Sequence, residues 1–137
     1  MTTENQLAKS HDIDEQAAIE TFRMMESGIY EDFERLIHPE WVNHEAKDEP
    51  PAARDPYGLR AAYATALWLR GAYAGLAWEI HEIVRERDLV VVHCTMSGAH
   101  KGDFVAYDID ANVKEAFPPT GKSFVTTQTH WIRMRDG

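Results

Sequence analysis

The length of 137 residues fits one domain, 1–137, and argues against a second. Hydrophobic residues at 44%, charged residues at 27% and four Trp, five Tyr and five Phe furnish a real core, which excludes disorder outside a flexible polar lead, residues 1–11. A net charge of −9 with no Lys/Arg-rich block excludes nucleic acid and anionic membrane surfaces as natural partners.

The first helical pattern runs from about Ile13 to Ser27. Asp12 or Asp14 can cap it, Ala18, Phe22, Met25 and Ile29 form an apolar stripe, and Gly28 stops it. A short helix follows near Tyr30–Ile37, with Phe33, Leu36 and Ile37 inward, ended by His38-Pro39. Trp41–Glu45 reads as a short strand and residues 46–56 as a loop. Asp55-Pro56 starts a third helix to about Tyr73, striped by Leu59, Ala62, Tyr63, Ala66, Leu69 and Tyr73, with Gly75 as its stop.

From there the period changes from 3.6 to 2. Ala77–Arg85 is a strand, Arg87-Asp88 a tight turn, and Leu89–Ala99 a long β-rich run. Residues 101–122 are irregular, with a short strand near Phe104–Tyr107 and a turn at Pro118–Gly121. Ser123–Met134 is the last long strand, and Asp136-Gly137 opens a hairpin turn. Helices followed by antiparallel strands define an α+β fold, with the helices on one face of the sheet.

Alternation sorts the two long strands. Val90, Val92, Cys94, Met96, Gly98 and His100 share one face, unless a bulge at Gly98 breaks the pattern. Phe124, Thr126, Gln128, His130, Ile132 and Met134 share the matching face of the last strand. An amide and two imidazoles therefore lie on apolar faces, where an unpartnered polar group costs about 1–3 kcal/mol. Each is either satisfied within the core or aimed at a ligand. The segment Trp41-Val42-Asn43-His44-Glu45 has the same two readings, an inward Asn43 or His44 or a solvated edge. Trp68 lies off the helical stripe and either floors a pocket or packs on a neighbour. His93, on the more polar face, reads as surface or interface. Asp103, Asp108 and Asp110 read as a solvated loop.

No G-x-G-x-x-G, phosphate loop or G-x-S-x-G occurs, and no helix carries two His at i, i+4. His44, His93, His100 and His130 have no metal-ligand spacing, so no metal is expected. The single Cys94 excludes an intrachain disulfide and a Cys-based zinc cluster. Residues 1–12 lack the apolar stretch of a signal peptide and no run reaches membrane-spanning length, so the expected location is cytoplasmic.

Several motifs together resemble a known family. They are Trp41-Val42-Asn43-His44, Leu89–His93, Ser97-Gly98-Ala99-His100-Lys101-Gly102-Asp103-Phe104, Phe117–Lys122 and Gln128–Gly137. The G-x-H-x-G-x-F stretch with the P-P-T-G-K turn carries the most weight. The chain is similar, over about Ile13 to Gly137, to SnoaL-like polyketide cyclases, or ester cyclases, of the nuclear-transport-factor-2-like superfamily. The resemblance implies a cone-shaped curved sheet, mixed or antiparallel, packed on three helices around a pocket for a small apolar organic ligand. It also implies acid/base catalysis without a cofactor, and a homodimer. His130 is then the first candidate acid/base and His100 the second. Asn43, His44 and Gln128 would orient a carbonyl or enolate, and Trp68, Met96, Phe104 and Phe117 would line the pocket. Val105–Ala116 exceeds the usual connection, which implies an added flap or strand pair. The family pattern continues past the Asp136-Gly137 turn with one more strand bearing an Asp, so a chain stopping at Gly137 implies an open cone. An epoxide hydrolase, ketosteroid isomerase or dehydratase of this fold is a related reading; the epoxide hydrolase would need an inward Asp–Arg pair, and the sequence offers no evident one. A non-catalytic binding protein or a dimerisation module uses the same architecture.

Overall fold

The protein's structure, a computed structural model, describes residues 4–54 and 58–137, with side chains from residue 13 onward. The elements are α1 (Glu4–Ser27), α2 (Tyr30–Leu36), a 3-10 turn (Pro51–Arg54), α3 (Leu59–Ala72), β1 (Tyr73–Glu86), β2 (Leu89–His100), β3 (Phe104–Tyr107), β4 (Val113–Phe117) and β5 (Ser123–Arg133). Helix α1 begins at Glu4, ahead of the Ile13 expected. The rest of the expectation for residues 1–11, and the Asp55-Pro56 helix start, lie outside the described residues.

Helix α1 ends where its sequence says. Gly28 N–H donates to Met24 C=O at 2.7 Å. Arg70 of α3 then donates to the carbonyls of Met24, Met25 and Gly28, closing acceptors that a helix end leaves open. Ile29 is not part of the buried stripe. It is 60% exposed and stands between the two helices, where its N–H meets the Asp32 carboxylate at 2.9 Å.

The expected strand Trp41–Glu45 is a turn. Asn43 Oδ1 accepts from Glu45 N–H at 3.0 Å and Gly58 N–H donates to Trp41 C=O at 2.8 Å. An asparagine that satisfies the backbone two residues on competes with a strand ladder, and here it wins. Gly75 likewise does not end α3. The helix stops at Ala72 and β1 starts at once.

The main sheet is antiparallel and open, in the order β1-β2-β5, and β3 pairs with β4 as a separate hairpin. That hairpin is the added strand pair expected within residues 105–116. Asp108 shapes its turn, its Oδ1 accepting from the N–H groups of Asp110 and Asn112 at 2.9 Å each. The β2/β5 ladder runs without interruption from Leu89↔Arg133 to Ala99↔Ser123, so no bulge occurs at Gly98. The irregularities are in β1, between Ala74 and Ala77 and between Ile80 and Glu82. Gly75, with φ +64, takes the left-handed conformation that the first requires. The second inserts His81 and flips the strand's parity. Trp78 and Ile80 face inward before it, Ile83 and Arg85 after it, which leaves Val84 63% exposed.

The core follows from these faces. Ala18 and Phe22 of α1 pack on Leu76, Trp78, Val90, Val92, Cys94 and Met96. A second cluster joins α1, α2 and α3 through Met24, Phe33, Ala62 and Ala66, with Trp41 and Tyr63 against it.

Candidate active site

The inner face of the sheet is laid out in rows by its register. Ile83, Val92 and His130 form one row, Ile80, Cys94 and Gln128 the next, and Trp78, Met96 and Thr126 the one after. Burial holds the Cys94 thiol above its ordinary pKa, so it behaves as core. The His130 ring meets Phe22 edge-on, with centroids 5.0 Å apart at 84°. Its Nε2 lies 2.9 Å from Gln128 Oε1, which also accepts from Trp78 Nε1–H at 3.0 Å. The Gln128 amide nitrogen points to Met96 Sδ at 3.2 Å. Burial holds the His130 pKa below its ordinary 6.5, so the ring is neutral at neutral pH. A neutral, half-buried imidazole with one nitrogen tied down is equipped to take up and return a proton.

His100 forms a second constellation. The two motifs singled out in the sequence meet on it. His100 N–H donates to Lys122 C=O at 2.9 Å, and Gly121 N–H donates to His100 C=O at 2.8 Å. Thr120 Oγ1 lies 3.3 Å from His100 Nδ1. The P-P-T-G-K turn is thus a clamp on this residue, with Gly121 at φ +73. The other nitrogen, Nε2, is enclosed and has no partner among the described residues. Around it stand Tyr73, at 5.8 Å between centroids, and Phe124, which meets Tyr73 at 4.8 Å. Phe104 stacks on Tyr73 and packs on Trp68 at 4.9 Å. Trp68 Nε1 donates to Val105 C=O at 2.9 Å, so this indole fastens β3 to α3.

The sequence candidates therefore separate into three places. His130, Gln128 and Met96 belong together. His100, Trp68 and Phe104 belong together, with Phe117 at the rim, 42% exposed and 6.2 Å from Phe104. Asn43 and His44 join neither. Asn43 spends its amide on Glu49 Oε1 at 3.1 Å and its carbonyl on the turn, and His44 is exposed. Val92, beside His130, lies eight residue steps from His100 along β2, roughly 25 Å. The two histidines serve different ends of the sheet. Gln128, expected to orient a substrate carbonyl, could do so only through its amide N–H, and that nitrogen is turned to Met96 Sδ.

Sequence reasoning missed Trp78, because two bulges hide which face of β1 is inward. It also missed an inward Asp–Arg pair. Asp14 Oδ2 accepts from Arg85 Nη2 at 3.3 Å, with side chains 16% and 8% exposed. Arg85 Nε and Nη1 are enclosed without partners among the described residues. Arg85 is inward only because of the parity flip at His81. Two grooves, of about 710 and 450 Å³, open elsewhere. The larger runs between α2 and the end of β5, by Tyr30, Ile37 and Arg135; the smaller lies beside Asp14 and Arg85. Neither is lined by His130 or His100.

Helices on one face of an open antiparallel sheet, with an imidazole and an amide on its inner face, define an α+β protein of the cone-shaped fold class. The comparisons carry this to a family: residues 18–137 match the model of the SnoaL-like domain, and the chain belongs to that family. It is 31% identical over 120 residues to aklanonic acid methyl ester cyclase DnrD of Streptomyces peucetius, covering 84% of this chain and 73% of the relative. Among solved structures it is similar to TsrD of Streptomyces laurentii, with a TM-score of 0.66 and 17% identity over 89% of this chain and 78% of the other. A Jannaschia sp. CCS1 protein assigned as a SnoaL-like polyketide cyclase gives a TM-score of 0.65 and 17% identity over 90% and 78%. At these identities the two structures support the fold.

Proposed function

We propose that this protein is a cofactor-independent cyclase that closes a ring in a small apolar carbonyl compound, such as a polyketide ester, by an intramolecular aldol reaction. His130 takes the proton from the carbon alpha to a carbonyl. The resulting enolate carbon attacks a second carbonyl of the same molecule, forming the ring C–C bond. The new alkoxide recovers the proton from the imidazolium. The observation that carries this reading is a neutral imidazole, half-buried against Phe22 beside Val92 and tied by one nitrogen to Gln128. The family and the ester-cyclase relative support the substrate class. An apolar surround also keeps water from the enolate. His100 and its aromatic neighbours make a separate ligand-facing end.

The test is a turnover screen with β-keto esters of polyketide type, comparing wild type, His130→Ala and His100→Ala. Cyclisation lost in His130→Ala and kept in His100→Ala is the expected result. Unchanged turnover in both variants would sink the assignment, and tight binding of unreacted ester would make this a binding protein. One observation favours a second reading, epoxide hydrolysis: the buried Asp14–Arg85 pair. A small epoxide belongs in the same screen. Its opening by wild type and not by Asp14→Asn, with the esters untouched, would establish that reading instead.

The outer face of the sheet fits a second copy of the chain. Trp131 is 71% exposed there, level with Val84 across Val91, with His93 and Val125 farther along the same face. Sedimentation is expected to show a dimer that Trp131→Asp converts to monomer. A monomeric wild type at tens of micromolar would refute this surface as the contact.

A further inference from the structure

We infer that Trp78, a residue with no titratable group, sets which nitrogen of His130 carries the proton, acting through Gln128. An indole N–H can only donate. Trp78 Nε1 faces one terminal atom of the Gln128 side chain at 3.0 Å, so that atom is the carbonyl oxygen; the amide nitrogen there would place donor against donor. The remaining terminal atom, the amide nitrogen, meets Met96 Sδ, a weak acceptor suited to it. With the oxygen fixed, His130 Nε2 at 2.9 Å must donate to it. The neutral ring is therefore the Nε2–H tautomer and its lone pair is on Nδ1. In the imidazolium Nε2 keeps its proton, so the proton that comes and goes does so at Nδ1.

Trp78 is well held for this role. Its N–H donates to Glu26 Oε1 at 2.8 Å and its carbonyl accepts from Arg23 at 2.9 Å, both on α1. Arg23 and Glu26 are themselves paired at 2.7 Å. The indole is thus referenced to the same helix that supplies Phe22 against the imidazole. Trp78 and Gln128 are positioning residues. Their importance for catalysis rests on the acid/base reading of His130, but the tautomer itself does not.

The experiment is long-range ¹H–¹⁵N NMR on the free protein with ¹⁵N-labelled histidine, above pH 7. Wild type is expected to show His130 as a single tautomer, with a protonated Nε2 and an unprotonated Nδ1. In Trp78→Phe an aromatic ring stays but the donor and part of the indole's core volume are lost. Gln128 can then turn over, and the single pattern is expected to become an average of both tautomers. Gln128→Met, which removes the amide, should have the same effect and serves if Trp78→Phe folds poorly. An Nδ1–H tautomer in wild type would overturn the inference, as would an unaltered single pattern in both variants. Because the signal is read without substrate, a failed turnover screen leaves this result standing, and the reverse holds too.

Discussion

Alanine at position 102 is expected to destabilise the protein by about 3 kcal/mol or more, among the larger effects a single methyl group can have. A Cβ there would lie 1.9 Å from the Gly71 carbonyl oxygen. Neither backbone can retreat cheaply, because Lys101 and Gly102 both donate their N–H groups to Ala72 C=O at 3.1 Å. The contact locks the end of β2 to the last turn of α3, and His100 hangs from that end. Chemical denaturation reads the loss directly. Gly71→Ala is the control: its Cβ meets no atom within 4 Å, and within a helix alanine is favoured over glycine by about 1 kcal/mol. A Gly102→Ala variant as stable as wild type would show that the two backbones are not in contact.

The second large effect concerns His130. On the acid/base role proposed for it, its replacement by Gln is expected to lower kcat about 10²–10⁴-fold, the usual contribution of such a group. It should also change how stability depends on pH. Burial depresses the folded-state pKa below 6.5, so between that lowered value and 6.5 the unfolded chain binds the proton and the folded chain does not. The stabilisation from a neutral His130 is thus fully present above pH 6.5. It is lost as pH falls through the window and levels off below the folded pKa. Subtracting the denaturation curves of His130→Gln from those of wild type isolates this component. A difference with the opposite slope would mean that the imidazole is charged in the fold. For the same reason, the acidic limb of kcat/KM is expected below pH 6.5.

Much of the architecture was legible because two periods describe it. The 3.6 stripe of Ala62 and Ala66 and the two-residue alternation of Val90, Val92, Cys94 and Met96 both mark buried faces. The inward placement of Gln128 and His130 followed from the same alternation. The fate of Trp41–Glu45 did not, since an Asn43 side chain folding back on Glu45 N–H leaves no mark on hydropathy. The separation of His100 from His130 was hidden as well, because alternation gives a face but not a partner strand or a register. The G-x-H-x-G-x-F motif was visible as a pattern without its cause. Gly98 leaves room for the Phe124 ring, which a Cβ would meet at 3.0 Å, and Gly102 for the α3 carbonyl.

The extra residue at His81 works as a frameshift within β1. On one side of it the even positions belong to the interior, and on the other the odd ones do. Any comparison that slides β1 past a related strand without that extra residue will match interior side chains to solvent-facing ones over residues 82–86. Arg85, the one buried cation of the inner face among the described residues, would then be counted as a surface charge.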